Sequence, residues 1–147
     1  MAEPVWMTSQ LAVNQRGALE QLLFFNQNQH RVRGGIENSI EAYGVPEIVE
    51  RDGVLGIRVG AVDGVQSVFA VSAAGRPLGV GIFARLASNR IVVLHLGVAY
   101  AGAAAADANS WLLLRLLHEI RKAARATLGI DRIELVYRSR RHVRLQG

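Results

Sequence analysis

The sequence predicts an α+β fold: N-terminal helices, a mostly antiparallel sheet meander, a long amphipathic helix and a final strand. Three observations carry it. From Val54 the pattern takes a period of two, and residues 54–99 form four strand-like runs between short turn signals. Residues 108–128 place apolar side chains at spacings of three and four. Residues 130–137 then return to a period of two, with Ile133, Leu135 and Tyr137 on one face.

Each element has a local cause. Leu11 to about Gln29 spaces Leu11, Ala18, Leu22, Leu23 and Phe25 as a helix with one buried face, with Ser9 as its N-cap. Gly34-Gly35 breaks the chain, and a second short helix is expected from Ile36 to Tyr43, stopped by Gly44. Four strands follow: Val54–Ala61, Val65–Ser72, Leu78–Leu86 and Ile91–Ala99. Asp63-Gly64 is taken as the strongest hairpin signal, because both residues tolerate positive φ. Gly75-Arg76-Pro77 and Ser88-Asn89-Arg90 make the later turns. The fourth strand is apolar on both faces except at His95, which places it inside the sheet. The long helix, about Ala108 to Leu128, is expected to bury Leu113, Leu117, Ile120, Ala124 and Leu128, with Gly129 as a left-handed stop.

At 147 residues, and with no composition shift or linker, the chain reads as a single domain: 1–53 a helical N-terminal part, 54–137 the sheet and helix core, 138–147 a basic tail. The sequence has no cysteine, which excludes disulfides and thiolate metal sites. No apolar run approaches the roughly 20 residues that span a bilayer. The N-terminus carries Glu3 and no basic lead-in, unlike a signal peptide, so a cytoplasmic protein with no membrane partner is expected. The net charge is +5, and Arg138, Arg140, Arg141 and Arg144 supply most of it, leaving the remainder near neutral.

The segments FAVSAAGRPLGVGIFARL, RIVVLHLGVAY and WLLLRLLHEIRKAARATLGIDRIELVY resemble the second to fifth strands and the intervening helix of the GCN5-related N-acetyltransferase (GNAT) family, within the acyl-CoA N-acyltransferase superfamily. Gly79 sits at the family's "vG" position, and Leu96 and Val98 at its "LxV". The likeness covers about half of the chain, from Ser67 to Tyr137. It implies that acetyl-CoA is the acyl donor and an amine of a small molecule or protein the acceptor. It further implies that Leu96, Gly97 and Val98 pair with pantetheine through backbone groups. The turn into the long helix, with Ala106, Ala108, Asn109 and Ser110, would then receive the pyrophosphate at a helix N-terminus. Where the family writes a basic residue or Gln followed by Gly-x-Gly, this chain writes Ala105 to Ser110 with Asp107 among them. The tail after Tyr137 is too short for the family's usual last helix and two strands, so the expectation is that a homodimer partner supplies the missing part or that it is absent.

Two residues are candidates for the chemistry. Tyr137 closes the fifth strand, near the place from which the family's tyrosine protonates the leaving thiolate; a packed core tyrosine is the plain alternative. His95 could take a proton from the amine, since its unperturbed pKa lies near 6.5; a core histidine is again the alternative. His118-Glu119 lacks the second histidine of a zinc protease, and Gly79-x-Gly81 lies within a strand and is no dinucleotide fingerprint. No metal-like spacing occurs. Two other functions are weighed: a non-catalytic ligand-binding or dimerising module, and a polyanion binder using the Arg-rich end. The last is disfavoured because that end lacks interleaved aromatics for stacking on nucleic acid.

Overall fold

The computed structural model describes residues 4–24, 43–60, 62–98, 106–135 and 142–144. Strand β1 (Trp6–Thr8) and strand β2 (Leu11–Ala12) precede a 3-10 turn and helix α1 (Arg16–Phe24). Strands β3 (Pro46–Arg51), β4 (Val54–Val59), β5 (Gln66–Val71), β6 (Pro77–Ala87) and β7 (Arg90–Val98) follow. Helix α2 (Ala106–Ala126), β8 (Arg132–Leu135) and β9 (His142–Arg144) complete the chain. Six strands form one sheet in the order β1-β5-β6-β7-β8-β9, and three form a second in the order β2-β4-β3. Every pairing is antiparallel except β7 with β8. That exception follows from α2, which carries the chain across one face and back to a parallel start.

The larger sheet is buried on both faces around β6 and β7. On one face, Val80, Ile82, Ala84, Val92 and Leu94 pack with Leu19, Leu22 and Leu23 of α1 and with Leu55, Ile57 and Val59 of the smaller sheet. On the other, Phe83, Ile91, Val93, Leu96, Val98 and Ile133 pack with Leu112, Leu116, Ile120 and Ala124 of α2. Each fully buried aliphatic side chain contributes roughly 1.5–3 kcal/mol, so this double layer supplies most of the driving force. Gly79 and Gly81 let α2 lie close: a Cβ on either would stand 3.1 Å from Leu116 or Ile120. Arg85 ties the ends together, donating to the carbonyls of Ser88 (2.5 Å) and Leu128 (3.1 Å).

Several expectations give way. Residues 1–53 are not simply helical; they hold β1, β2 and β3. The first helix starts at Arg16 and not near Leu11, because Leu11 and Ala12 pair with Leu55 and Val54. Ser9 therefore caps no helix. The expected helix from Ile36 lies outside the described residues, although Gly44 does take a positive φ. Asp63-Gly64 closes no hairpin, since β4 and β5 belong to different sheets. The two-residue hairpin is instead Asp52-Gly53, with φ of 55° and 79° between Arg51 and Val54. Both central residues are left-handed, as a type I′ turn demands. The meander is thus β5-β6-β7, three strands and not four.

On α2 the buried line is Leu112, Leu116, Ile120 and Ala124, one position off the expected phase at its start. Leu113 and Leu117 are half-buried, and Leu128, beyond the helix end, is 92% exposed. At the C-terminus, His142–Arg144 forms β9 against β8, so the basic segment is partly a strand.

Gly44 and Gly60 pack backbone to backbone where the chain enters and leaves the β3–β4 hairpin, both at positive φ. A Cβ on Gly60 would collide with the Tyr43 carbonyl oxygen. Gly60→Ala is therefore expected to destabilise the protein by about 2 kcal/mol or more. Urea unfolding should show the midpoint falling with the slope unchanged.

Candidate functional site

Strand β7 changes direction at Leu94-His95. On β6 the neighbours Ile82 and Phe83 are consecutive, yet their partners on β7 are His95 and Val93. One extra residue on β7 makes a β-bulge, which bends a strand and resets its alternation. Leu94 faces the α1 side. Leu96 and Val98 face α2. His95, which strict alternation from Val93 would aim at α2, turns instead to the α1 side. Its Nε2 lies 3.2 Å from where a Gly97 Cβ would stand, beside the Leu22 carbonyl oxygen of α1. Gly97 is thus a close approach of backbone to imidazole that no larger residue at 97 would permit unchanged.

The parallel ladder between β7 and β8 is described from Arg90/Arg132 to Val93/Leu135, and the bulge follows immediately. Arg90 and Glu134 pin this ladder, with Nη1 3.1 Å from a carboxylate oxygen and Arg132 3.7 Å from the other.

His95 is 4% exposed and is the buried polar residue among the described core. Its Nε2 has no hydrogen-bond partner among the described residues. Burial lowers its pKa from 6.5 to about 4, because the charged form cannot be solvated there. The imidazole is therefore neutral at physiological pH.

The other expected site residues are placed less fully. Leu96, Gly97 and Val98 continue β7 directly from His95. Ala106, Ala108, Asn109 and Ser110 form the opening of α2, whose first backbone N–H groups lack helical partners. Tyr137 lies outside the described residues. What the sequence reading missed is the bulge itself and the role of Gly97. The visible signal was a single histidine in an otherwise apolar strand. An open groove of about 850 Å³ lies elsewhere, between β4 and β5, lined by residues such as Arg51, Leu55, Asp63 and Ser67; it does not touch β7. Among the described residues no cluster of acidic, His or Cys side chains could hold a metal ion.

A GNAT-family acetyltransferase from Staphylococcus aureus Mu50 superposes with a TM-score of 0.50 at 15% identity, covering 90% of this chain and 72% of its own. The fold is that of the GNAT acetyltransferases. A GNAT-family protein from Desulfovibrio desulfuricans (TM-score 0.49, 18% identity, 88% of this chain and 71% of that one) and nourseothricin acetyltransferase (0.49, 13%, 89% and 72%) also match. No family model matches the sequence, and no curated protein matches it. At these identities the likeness is one of fold. Within that GNAT fold, β7 is the strand whose sequence resembles the family's fourth.

The buried imidazole links stability to pH. Folded, His95 resists protonation down to about pH 4, whereas in the unfolded chain it takes a proton near 6.5. The unfolded state binds more protons in that window, so its contribution to stability is whole above pH 6.5 and falls as pH drops toward 4, by on the order of 3 kcal/mol. Unfolding free energies measured between pH 7 and 4.5 should fall more steeply for the native protein than for His95→Leu.

Proposed function

We propose that the protein is an acyltransferase that moves an acetyl group from acetyl-CoA to an amine of a small molecule or protein. The observation that carries the reading is the β7 bulge at Leu94-His95 within a GNAT fold, standing where the described β7–β8 ladder ends. In this reading acetyl-CoA supplies an activated thioester. The backbone of Leu96–Val98 binds and orients it, and the free N–H groups at the start of α2, around Ala106, Ala108, Asn109 and Ser110, receive its pyrophosphate. Gly97, lacking a side chain, leaves that stretch of backbone open to close approach. An N–H of β7 stabilises the negative charge that develops on the acyl oxygen.

His95 takes the proton that the amine releases on forming its new C–N bond. Buried, it is a weak base. Entry of the acceptor or a water beside Nε2 removes the desolvation that depresses it and returns its pKa toward 6.5, where a base is most effective near neutral pH. Tyr137 donates a proton to the departing thiolate. The active form in this reading is a homodimer, and β9 stands at the sheet edge where a second copy would extend it. A second reading, a ligand-binding module without turnover, is favoured by Asp107 in the first turn of α2, a carboxylate in a place otherwise suited to phosphate.

Calorimetric titration with acetyl-CoA, followed by thioester turnover against a panel of amines, separates these. Binding with turnover supports the transferase; binding alone supports the module; no heat at millimolar acetyl-CoA removes both. Ala108→Glu should weaken acetyl-CoA binding about tenfold by placing a second negative charge at the helix start. His95→Ala should lower kcat by about 10²- to 10⁴-fold while binding of acetyl-CoA persists.

A further inference from the structure

The outward side of α2 plays no part in the site above. Its buried line, Leu112, Leu116, Ile120 and Ala124, fixes which residues point away. At 100° per residue, Leu114, Arg115, His118, Arg121, Lys122 and Arg125 gather on the opposite arc, with Trp111 at its head. Four of these are cations. The one acid at the rim, Glu119, lies 3.6 Å from Lys122 and is mostly covered. The Arg115 guanidinium stacks 5.3 Å above the Trp111 ring. Leu114 on this arc is 67% exposed, and Leu128, just past the helix end, is 92% exposed. The cations and Leu114 lie along about 17 Å of helix, held flat against the sheet.

We propose that this face of α2 seats the protein on an anionic lipid surface. Cations alone would suit any polyanion. Leu114 and Leu128 decide between them: at a nucleic-acid backbone they would stay in water, whereas at a bilayer they enter the headgroup boundary while the arginines meet anionic headgroups. The Trp111 ring, already covered on one face by Arg115, is not an open stacking platform for bases. The sequence reading assigned no membrane partner because no apolar run spans a bilayer, and among the described residues no helix is long and apolar enough to cross one. Surface seating needs no such span, and it is independent of the acyltransfer proposed above.

The test is partition of the full chain onto phosphatidylcholine vesicles with and without phosphatidylserine. Binding is expected only with phosphatidylserine, and it should weaken as salt rises from about 0.1 M to about 0.5 M. Removing two cations with Arg121→Ala and Arg125→Ala should weaken partition about thirtyfold. Leu114→Ser should weaken it about tenfold. All three side chains are exposed, so thermal unfolding of the variants should match the native protein. Absence of partition at low salt, or partition indifferent to the arginine pair, overturns the proposal. So does tighter binding to a DNA duplex that ignores Leu114→Ser, which would give the face to nucleic acid.

Discussion

Burial of β7 on both faces is the constraint from which the rest follows. A strand packed against α1 on one side and α2 on the other has no solvent-facing row, so every residue must fit an apolar layer. The bulge at Leu94-His95 breaks that regularity in the middle of the strand. It keeps Leu94 in the α1 layer, returns Leu96 and Val98 to the α2 layer, and leaves the imidazole of His95 folded over Gly97. Among the described residues the parallel ladder with β8 reaches from Arg90 to Val93, just before this point. Change of strand direction, reset of alternation and the buried polar group are one local event.

Much of this architecture is legible in the sequence where pattern and packing agree. Strands β6 and β7 read as nearly continuous apolar runs because both of their faces are covered, and the Gly75 turn announces itself. The place of β7 inside the sheet is read from its lack of a polar row. The errors have physical causes. The chain offers two Asp-Gly pairs, and local tolerance of positive φ cannot rank them. Only at Asp52-Gly53 do both residues take it, because Glu47, Ile48 and Val49 lie across from Arg58, Ile57 and Gly56 to make a hairpin worth closing. On α2 the run Trp111-Leu112-Leu113-Leu114, followed by Leu116-Leu117, supports more than one apolar phase. The sheet chooses the one that fits Gly79 and Gly81. β1 and β9 are three residues each, too short for any periodicity to register. The bulge leaves no trace in composition at all, since one added residue in an apolar strand changes facing without changing hydropathy.

The charge distribution is also rearranged by folding. Read linearly, the excess of cations belongs to the last ten residues. Folded, Arg144 stands opposite Arg132 across a strand pair, and Arg132 and Arg90 share Glu134. Arg90 and Arg132 are thereby held within the sheet. The exposed cationic row lies on α2, where Glu119 beside Lys122 is the acid at its rim; sequence order spreads the row over eleven positions and helical geometry gathers it onto one arc.

The energetics of His95 close the argument. A buried donor or acceptor without a partner costs roughly 1–3 kcal/mol. An aliphatic side chain at this buried position would avoid that cost, so packing alone does not select histidine here. The imidazole is neutral because it is dry, and it can serve as a base only where it is wet. A group in that condition couples two equilibria: the opening that lets water or an amine reach Nε2, and the protonation that burial otherwise forbids. A polar group that enters beside Gly97 and pairs with Nε2 recovers part of the desolvation cost at the moment of binding. In the acyltransfer proposed above, an amine that reaches Nε2 would offset part of the cost that burial imposes on β7.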